Sequence, residues 1–199
     1  MTSMHPRSGS AANGEGQAPA IEIRKARGAD IPAMRAMQER SMAIIGSRYY
    51  ARDAMERFIR QIGTMEDAVV AEGHFFVAFD AERHIVGSGG WSRLKPHYAQ
   101  FDEWSGAAQD ESEPASTTAT VRSVYVAPEW TRRGIARAIM QRVEADAARS
   151  DLVRLQLTAP LSGEALYRSI GYRSMTRSHV TLPDGTRLGC VSMEKRITP

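Results

Sequence analysis

The stretch Val121-Arg-Ser-Val-Tyr-Val-Ala-Pro128, then Glu-Trp-Thr-Arg-Arg-Gly134-Ile-Ala136 and an amphipathic run to Arg149, decides the fold. A β-branched run that stops at a proline reads as a strand. The basic, glycine-bearing turn after it gives way to a period of about 3.6, so the unit is strand, loop, helix. The first turn of a helix has backbone N–H groups without intrahelical partners and carries the positive end of the helix dipole. A loop that delivers Arg132, Arg133 and the side-chain-free Gly134 to that point is an anion cradle, and we read it as the seat of a diphosphate.

Downstream, Ile135, Ala136, Ile139, Met140, Val143 and Ala147 share one face of the helix, and residues 151–158 alternate as a strand. Ser162 is placed to cap a short helix bearing Leu166, Tyr167 and Ile170, with Gly171 as its left-handed stop. Two final strands, 174–182 and 186–195, flank Pro183-Asp184-Gly185, a hairpin signal. Upstream, residues 21–25 alternate as a first strand. Asp30 is the expected N-cap of a helix that has Pro32 in its first turn and a stripe of Ile31, Met34, Met37, Met42 and Ile45. A second helix is expected over 51–62. Its methionines and those of the first helix read as core.

Strand-like runs follow at 68–71, 74–79 and 85–94. The last carries Gly87, Gly89 and Gly90, which serve either a bulge or the wall of a pocket. Residues 96–120 break all periodicity. They hold Asp102, Glu103, Asp110, Glu111 and Glu113 without a Lys or Arg, together with His97, Tyr98, Phe101 and Trp104. Two readings stay open: an acidic lid that attracts a cationic substrate, or a solvated insertion.

Composition sets outer bounds. Of 199 residues, 42% are apolar and 25% charged, as in a single globular domain. The net charge of +3 is too small, and the basic residues too scattered, for a nucleic-acid surface. One cysteine, Cys190, leaves no internal disulfide or cysteine-built zinc site and fits a reducing, cytoplasmic setting. The five histidines lack metal-ligand spacing, so no metal is expected. No apolar run reaches the ~18 residues of a membrane span. Residues 1–19, rich in Ser, Gly and Ala without an apolar segment, read as a disordered tail before one domain over 20–199.

The element order, with Val124-Tyr-Val-Ala-Pro128 running into Thr131-Arg-Arg-Gly-Ile-Ala136, resembles the GCN5-related N-acetyltransferase (GNAT) superfamily. That family's acetyl-CoA motif, Gln/Arg-x-x-Gly-x-Gly/Ala after a strand, matches except that Thr131 takes the Gln/Arg position. A second match, Ala165-Leu-Tyr167-Arg-Ser-Ile-Gly171-Tyr172, is similar to the family's Tyr-x-x-x-Gly-Phe/Tyr helix end. The resemblance implies an α+β fold with a central, mixed, mostly antiparallel sheet of six or seven strands flanked by about four helices. It implies acetyl-CoA as cosubstrate and direct attack by a primary amine of a small molecule or peptide. Transfer of a longer acyl group, or a CoA-binding sensor without turnover, is the alternative. Dimerisation through a sheet edge or the final strands is common in such folds.

By the same resemblance, the backbone of Val124, Tyr125 and Val126 would pair with the pantetheine arm, and Thr131, Arg132, Arg133, Gly134, Ile135, Ala136 and Arg137 would wrap the pyrophosphate. Ser162 would stand in for the family's cofactor-binding Asn. The backbone N–H of Val124 would meet the thioester oxygen, and Tyr167 would protonate the leaving thiolate. A phenol with an ordinary pKa of ~10 holds its proton at neutral pH and can donate it. The base stays open among Glu72, His97, Glu103, Glu129 and water. Cys190 reads as core, away from the motif.

Overall fold

The computed structural model describes residues 21–94 and 117–197. The expected N-terminal tail, and His97, Glu103 and most of the acidic segment, lie outside the described residues. Strand β1 (Glu22–Lys25) leads into α1 (Ile31–Ile45), α2 (Arg52–Gln61) and the short α3 (Asp67–Ala71). Then come β2 (Phe75–Phe79), β3 (Ile85–Ser92), β4 (Thr118–Val126), α4 (Ile135–Ala148), β5 (Arg154–Pro160), α5 (Glu164–Ser169), β6 (Arg173–Thr181) and β7 (Arg187–Arg196). The sheet has the order β1-β2-β3-β4-β5-β7-β6, and every pairing is antiparallel except β4 with β5. This is the expected mixed sheet, with five α-helices among the described residues where about four were expected.

Three expectations need correction. Residues 68–71, read as a strand from their β-branched pair, are the body of α3. They coil because Val69 and Val70 both face the same apolar cluster, with Met34, Phe75 and Val77, and Gly73 (φ +78°) ends the turn. The segment before β4 ends earlier than expected, since Thr118–Thr120 already pair with Arg154–Gln156. Asp30 does not cap α1 with its side chain; its carboxylate accepts the Arg27 N–H (2.7 Å) and the Arg24 guanidinium (2.8 and 2.9 Å), which fastens β1 to the helix entry.

The β3 glycines are explained by what lies over them. A Cβ on Gly87 would sit 2.8 Å from Ile135 Cγ2, and one on Gly89 would sit 3.0 Å from both Ile139 Cγ2 and Val124 Cγ2. Their absence of side chains lets the first two turns of α4 lie directly on the sheet. Gly90 serves β2 instead, where a Cβ would come within 2.6 Å of the His74 carbonyl. The α4 face Ile135, Ile139, Met140, Val143 and Ala147 is buried against this surface.

At the far end of α4, Asp146 is buried and accepts His74 Nδ1 (2.7 Å), Trp91 Nε1 (3.0 Å) and Lys25 Nζ (3.2 Å). Burial alone would raise its pKa, but the His74, Lys25 and Trp91 donors together outweigh that and hold the carboxyl below its ordinary value. The linkage sign follows: stability from Asp146 is present above the unfolded pKa of ~3.9 and is lost as pH falls through the lower folded value. Asp146→Asn should therefore cost about 2 kcal/mol at pH 7, with the gap to wild type closing under acid. Thermal melts across pH 2–7 check this; a gap that stays constant through acid would refute the ionised role of Asp146. No helix among the described residues is long and apolar enough to cross a membrane.

Candidate active site

The parallel ladder between β4 and β5 lasts for only three residue pairs, Thr118–Thr120 with Arg154–Gln156. Beyond it β5 continues to Pro160 paired with β7 alone, and β4 continues to Val126 paired with β3. A bulge accompanies the parting. Ser88 faces Tyr125 and Gly90 faces Arg122, so Ser123 and Val124 together oppose Gly89, and Ser123 takes a left-handed φ of +49°. A crevice at the carboxyl ends of neighbouring parallel strands is where open sheets receive ligands.

Each strand leads into one half of the sequence-predicted site. From β4 the chain makes a 3-10 turn, Pro128–Trp130, and enters the loop Thr131-Arg-Arg-Gly134. Arg132 (φ +63°) and Gly134 (φ +80°, ψ 0°) are both left-handed, and Gly134 is the N-cap of α4. A Cβ at Gly134 would meet nothing within 4 Å, so the glycine is required by its backbone angle and leaves the helix N-terminus open to approach. Arg132 and Arg133 are exposed at this point, and Arg133 lies over the Trp130 ring at 4.6 Å. Ile135 anchors the loop in the core. The open helix end, the glycine and the arginines fit a diphosphate.

From β5 the chain enters α5, which carries Tyr167. Its ring is buried, lies edge-on to Tyr172 (centroids 5.7 Å apart, 66°), and covers Gly163, where a Cβ would be 3.1 Å from Tyr167 Cε2. Gly171, at φ +94°, ends the helix as expected. The two halves touch: Arg137, in the first turn of α4, donates to Ser169 Oγ of α5 at 2.9 Å.

Other expectations fare differently. The Thr131 hydroxyl is turned inward and donates to the Pro128 carbonyl at 3.0 Å, closing the 3-10 turn and leaving only lone pairs for a ligand. Ser162 does not cap α5; Gly163 holds the N-cap position without a side-chain bond. Glu72 binds Ser92 Oγ (2.6 Å), and Ser92 pairs with Thr120, four residues before Val124. Glu129 is paired with Arg40 at the surface, 2.9 Å apart. Cys190 is buried in a cluster with Met42, Met55, Leu182 and Leu188, with Ser178 Oγ 3.3 Å from its sulfur.

Tyr50 escaped the sequence reading. Its hydroxyl donates to the Gly189 carbonyl of β7 (2.7 Å) and accepts the Leu161 N–H just past β5 (2.8 Å), so it ties the α1–α2 turn to the crevice. Burial pushes the Tyr50 phenol up, so it keeps the proton that this bridge needs. Nothing in the Tyr49-Tyr50 pair marks one ring as half-buried and the other as exposed.

A sequence profile described as an acetyltransferase (GNAT) domain matches residues 71–174, slightly over half of the chain. Three solved structures share the fold. They are a GCN5-related N-acetyltransferase from Rhodopseudomonas palustris (TM-score 0.65, 17% identity, 91% of this chain and 97% of that chain), the PaiA N-acetyltransferase from Thermoplasma acidophilum in complex with coenzyme A (0.63, 16%, 89% and 99%), and a phosphinothricin acetyltransferase from Sinorhizobium meliloti in complex with acetyl-CoA (0.60, 18%, 89% and 89%). No curated protein matches by sequence. The family profile, with a loop-and-helix cradle on one parallel strand and a tyrosine helix on its neighbour, makes this an acyl-CoA-dependent transferase. The chain belongs to the GNAT acetyltransferase family.

Proposed function

We propose that the protein moves the acetyl group of acetyl-CoA to a primary amine of a small molecule or peptide by direct attack. The observation that carries this reading is the Arg137–Ser169 bond, which joins the phosphate cradle to the tyrosine helix across the open ends of β4 and β5. The loop 131–134, with Arg137, holds the pyrophosphate, and the β4 backbone from Val124 to Val126 lines the arm. The Val124 N–H donates to the acetyl oxygen, and the nitrogen–carbon bond forms as the carbon–sulfur bond breaks. The Tyr167 hydroxyl supplies the proton that the departing sulfur takes, and the proton lost by the amine passes to water, from which the phenol is restored. The position of Cys190, packed among apolar side chains of α1, α2 and the last hairpin, supports transfer without an acyl-enzyme. The acceptor we propose is cationic, since the acidic residues between β3 and β4 carry no compensating Lys or Arg over 96–116. The lone free cysteine supports work in a reducing compartment, the cytoplasm.

Thermal shift is the first test. CoA or acetyl-CoA at ~100 Kd stabilises the folded state by about 2.7 kcal/mol, which for a chain of this size raises Tm by roughly 5–10 °C. No shift with either would sink the proposal. Thiol release over a panel of amines then separates outcomes. Turnover with polyamine-like or lysine-like amines is expected, a preference for anionic amines would overturn the acceptor class, and binding without any turnover would leave a CoA sensor.

A further inference from the structure

A chain of hydrogen bonds that no part of the transfer step uses runs through the interior and ends on the bulge of β4. Gln38, on α1, has no exposed surface. Its Nε2 donates to Ser88 Oγ at 2.9 Å and lies 3.4 Å from Met65 Sδ. Ser88 Oγ in turn donates to the Ser123 carbonyl at 3.3 Å. From the other side Ser123 Oγ reaches the Thr64 carbonyl at 3.4 Å, and the buried Arg122 pairs with Glu66 at 2.9 Å. Three separate segments thus close on two consecutive residues of β4.

Packing alone does not account for the glutamine. Gln38 Oε1 is buried without a partner, a penalty that Met or Leu of similar volume would avoid. Ser123 is strained as well, because a side chain at φ +49° persists only where the surroundings over-determine it. Peptide geometry supplies the connection. The Ser123 carbonyl and the Val124 N–H belong to one planar trans peptide and point in opposite directions, so a bond that fixes the carbonyl fixes the N–H.

We propose that Gln38 is a positioning residue: acting through Ser88, it pins the Ser123 carbonyl and so aims the Val124 N–H away from Ser88, toward the side on which β5 has parted from β4. The catalytic consequence rests on the proposed function of Val124; the structural part does not. The glutamine pre-aligns the donor before substrate arrives, at the expense of one orphaned oxygen in the core.

The test compares wild type with Gln38→Met, which keeps volume and removes the amide, and with Ser88→Ala. In both variants the backbone amide resonances of Ser123 and Val124 should move while those of residues 134–136 stay in place. The kcat should fall about tenfold to a hundredfold with KM for acetyl-CoA within about twofold, because a donor mis-aimed by about an ångström loses that much rate. The double variant should lose no more than the worse single, as expected for one chain of bonds. A merely structural Gln38 would lower Tm and spare kcat. That result, or unmoved Ser123 and Val124 resonances, overturns the inference. Should Gln38→Met fail to fold, Ser88→Ala gives the same reading from a smaller change. Wild-type protein that binds no CoA would defeat the proposed function, and the resonance comparison would still decide whether Gln38 sets the Val124 N–H.

Discussion

Tyr167→Phe should lower kcat by about a hundredfold or more while leaving the Kd for CoA within about twofold. The substitution is conservative in shape. The Tyr167 ring is buried, holds its edge contact with Tyr172 and covers Gly163, and none of these needs the hydroxyl. What is lost is one O–H, and general-acid catalysis contributes roughly 10²–10⁴ to a rate. The measurement is thiol release under saturating acetyl-CoA with an amine slow enough for chemistry to limit turnover. A kcat equal to wild type under those conditions would remove Tyr167 from the proton transfer and leave it a packing residue of α5.

Gly134→Val should weaken CoA binding about a hundredfold, measured by calorimetric titration, with a much smaller effect on the fold. The free protein has room for the side chain, since a Cβ there meets nothing within 4 Å. The penalty in the free protein is the left-handed backbone at φ +80°, about 1–2 kcal/mol, or a Tm lower by a few degrees. The penalty in the complex is larger, because the new methyls stand where a diphosphate must approach the first N–H groups of α4. Affinity retained in this variant would mean that the phosphates are held elsewhere.

Much of this was legible in the residues because local chemistry fixes it. A proline closes β4, a glycine with positive φ opens α4, another closes α5, and Asp184-Gly185 turns the last hairpin; each is a backbone requirement that only certain side chains meet. The failures have the opposite character. Residues 68–71 carry the β-branched pair of a strand, and only the apolar cluster waiting on one side makes them a helix. Thr131 offers a hydroxyl to solvent in the sequence but spends it on the Pro128 carbonyl, a contact three residues away that the linear pattern does not announce. The bulge at Ser123 lies within Val121-Arg-Ser-Val-Tyr-Val126, which reads as one strand from its β-branched residues. Ser88, which donates to its carbonyl, lies 35 residues away, and Gln38 behind Ser88 lies 50 residues further still. Tyr50 was hidden for the same reason, its two partners lying more than a hundred residues downstream.

The three-pair seam between β4 and β5 has a mechanical side. On one side of it stand β1 to β4, and on the other β5, β7 and β6, each set laced by longer antiparallel ladders. The sheet is thus two antiparallel units joined along one short parallel line. On the proposed function, a cosubstrate held by α4 from one unit and by α5 from the other would rivet the two across that line. Saturation would then stiffen the joint between the two halves, and release of CoA would return them to their looser coupling.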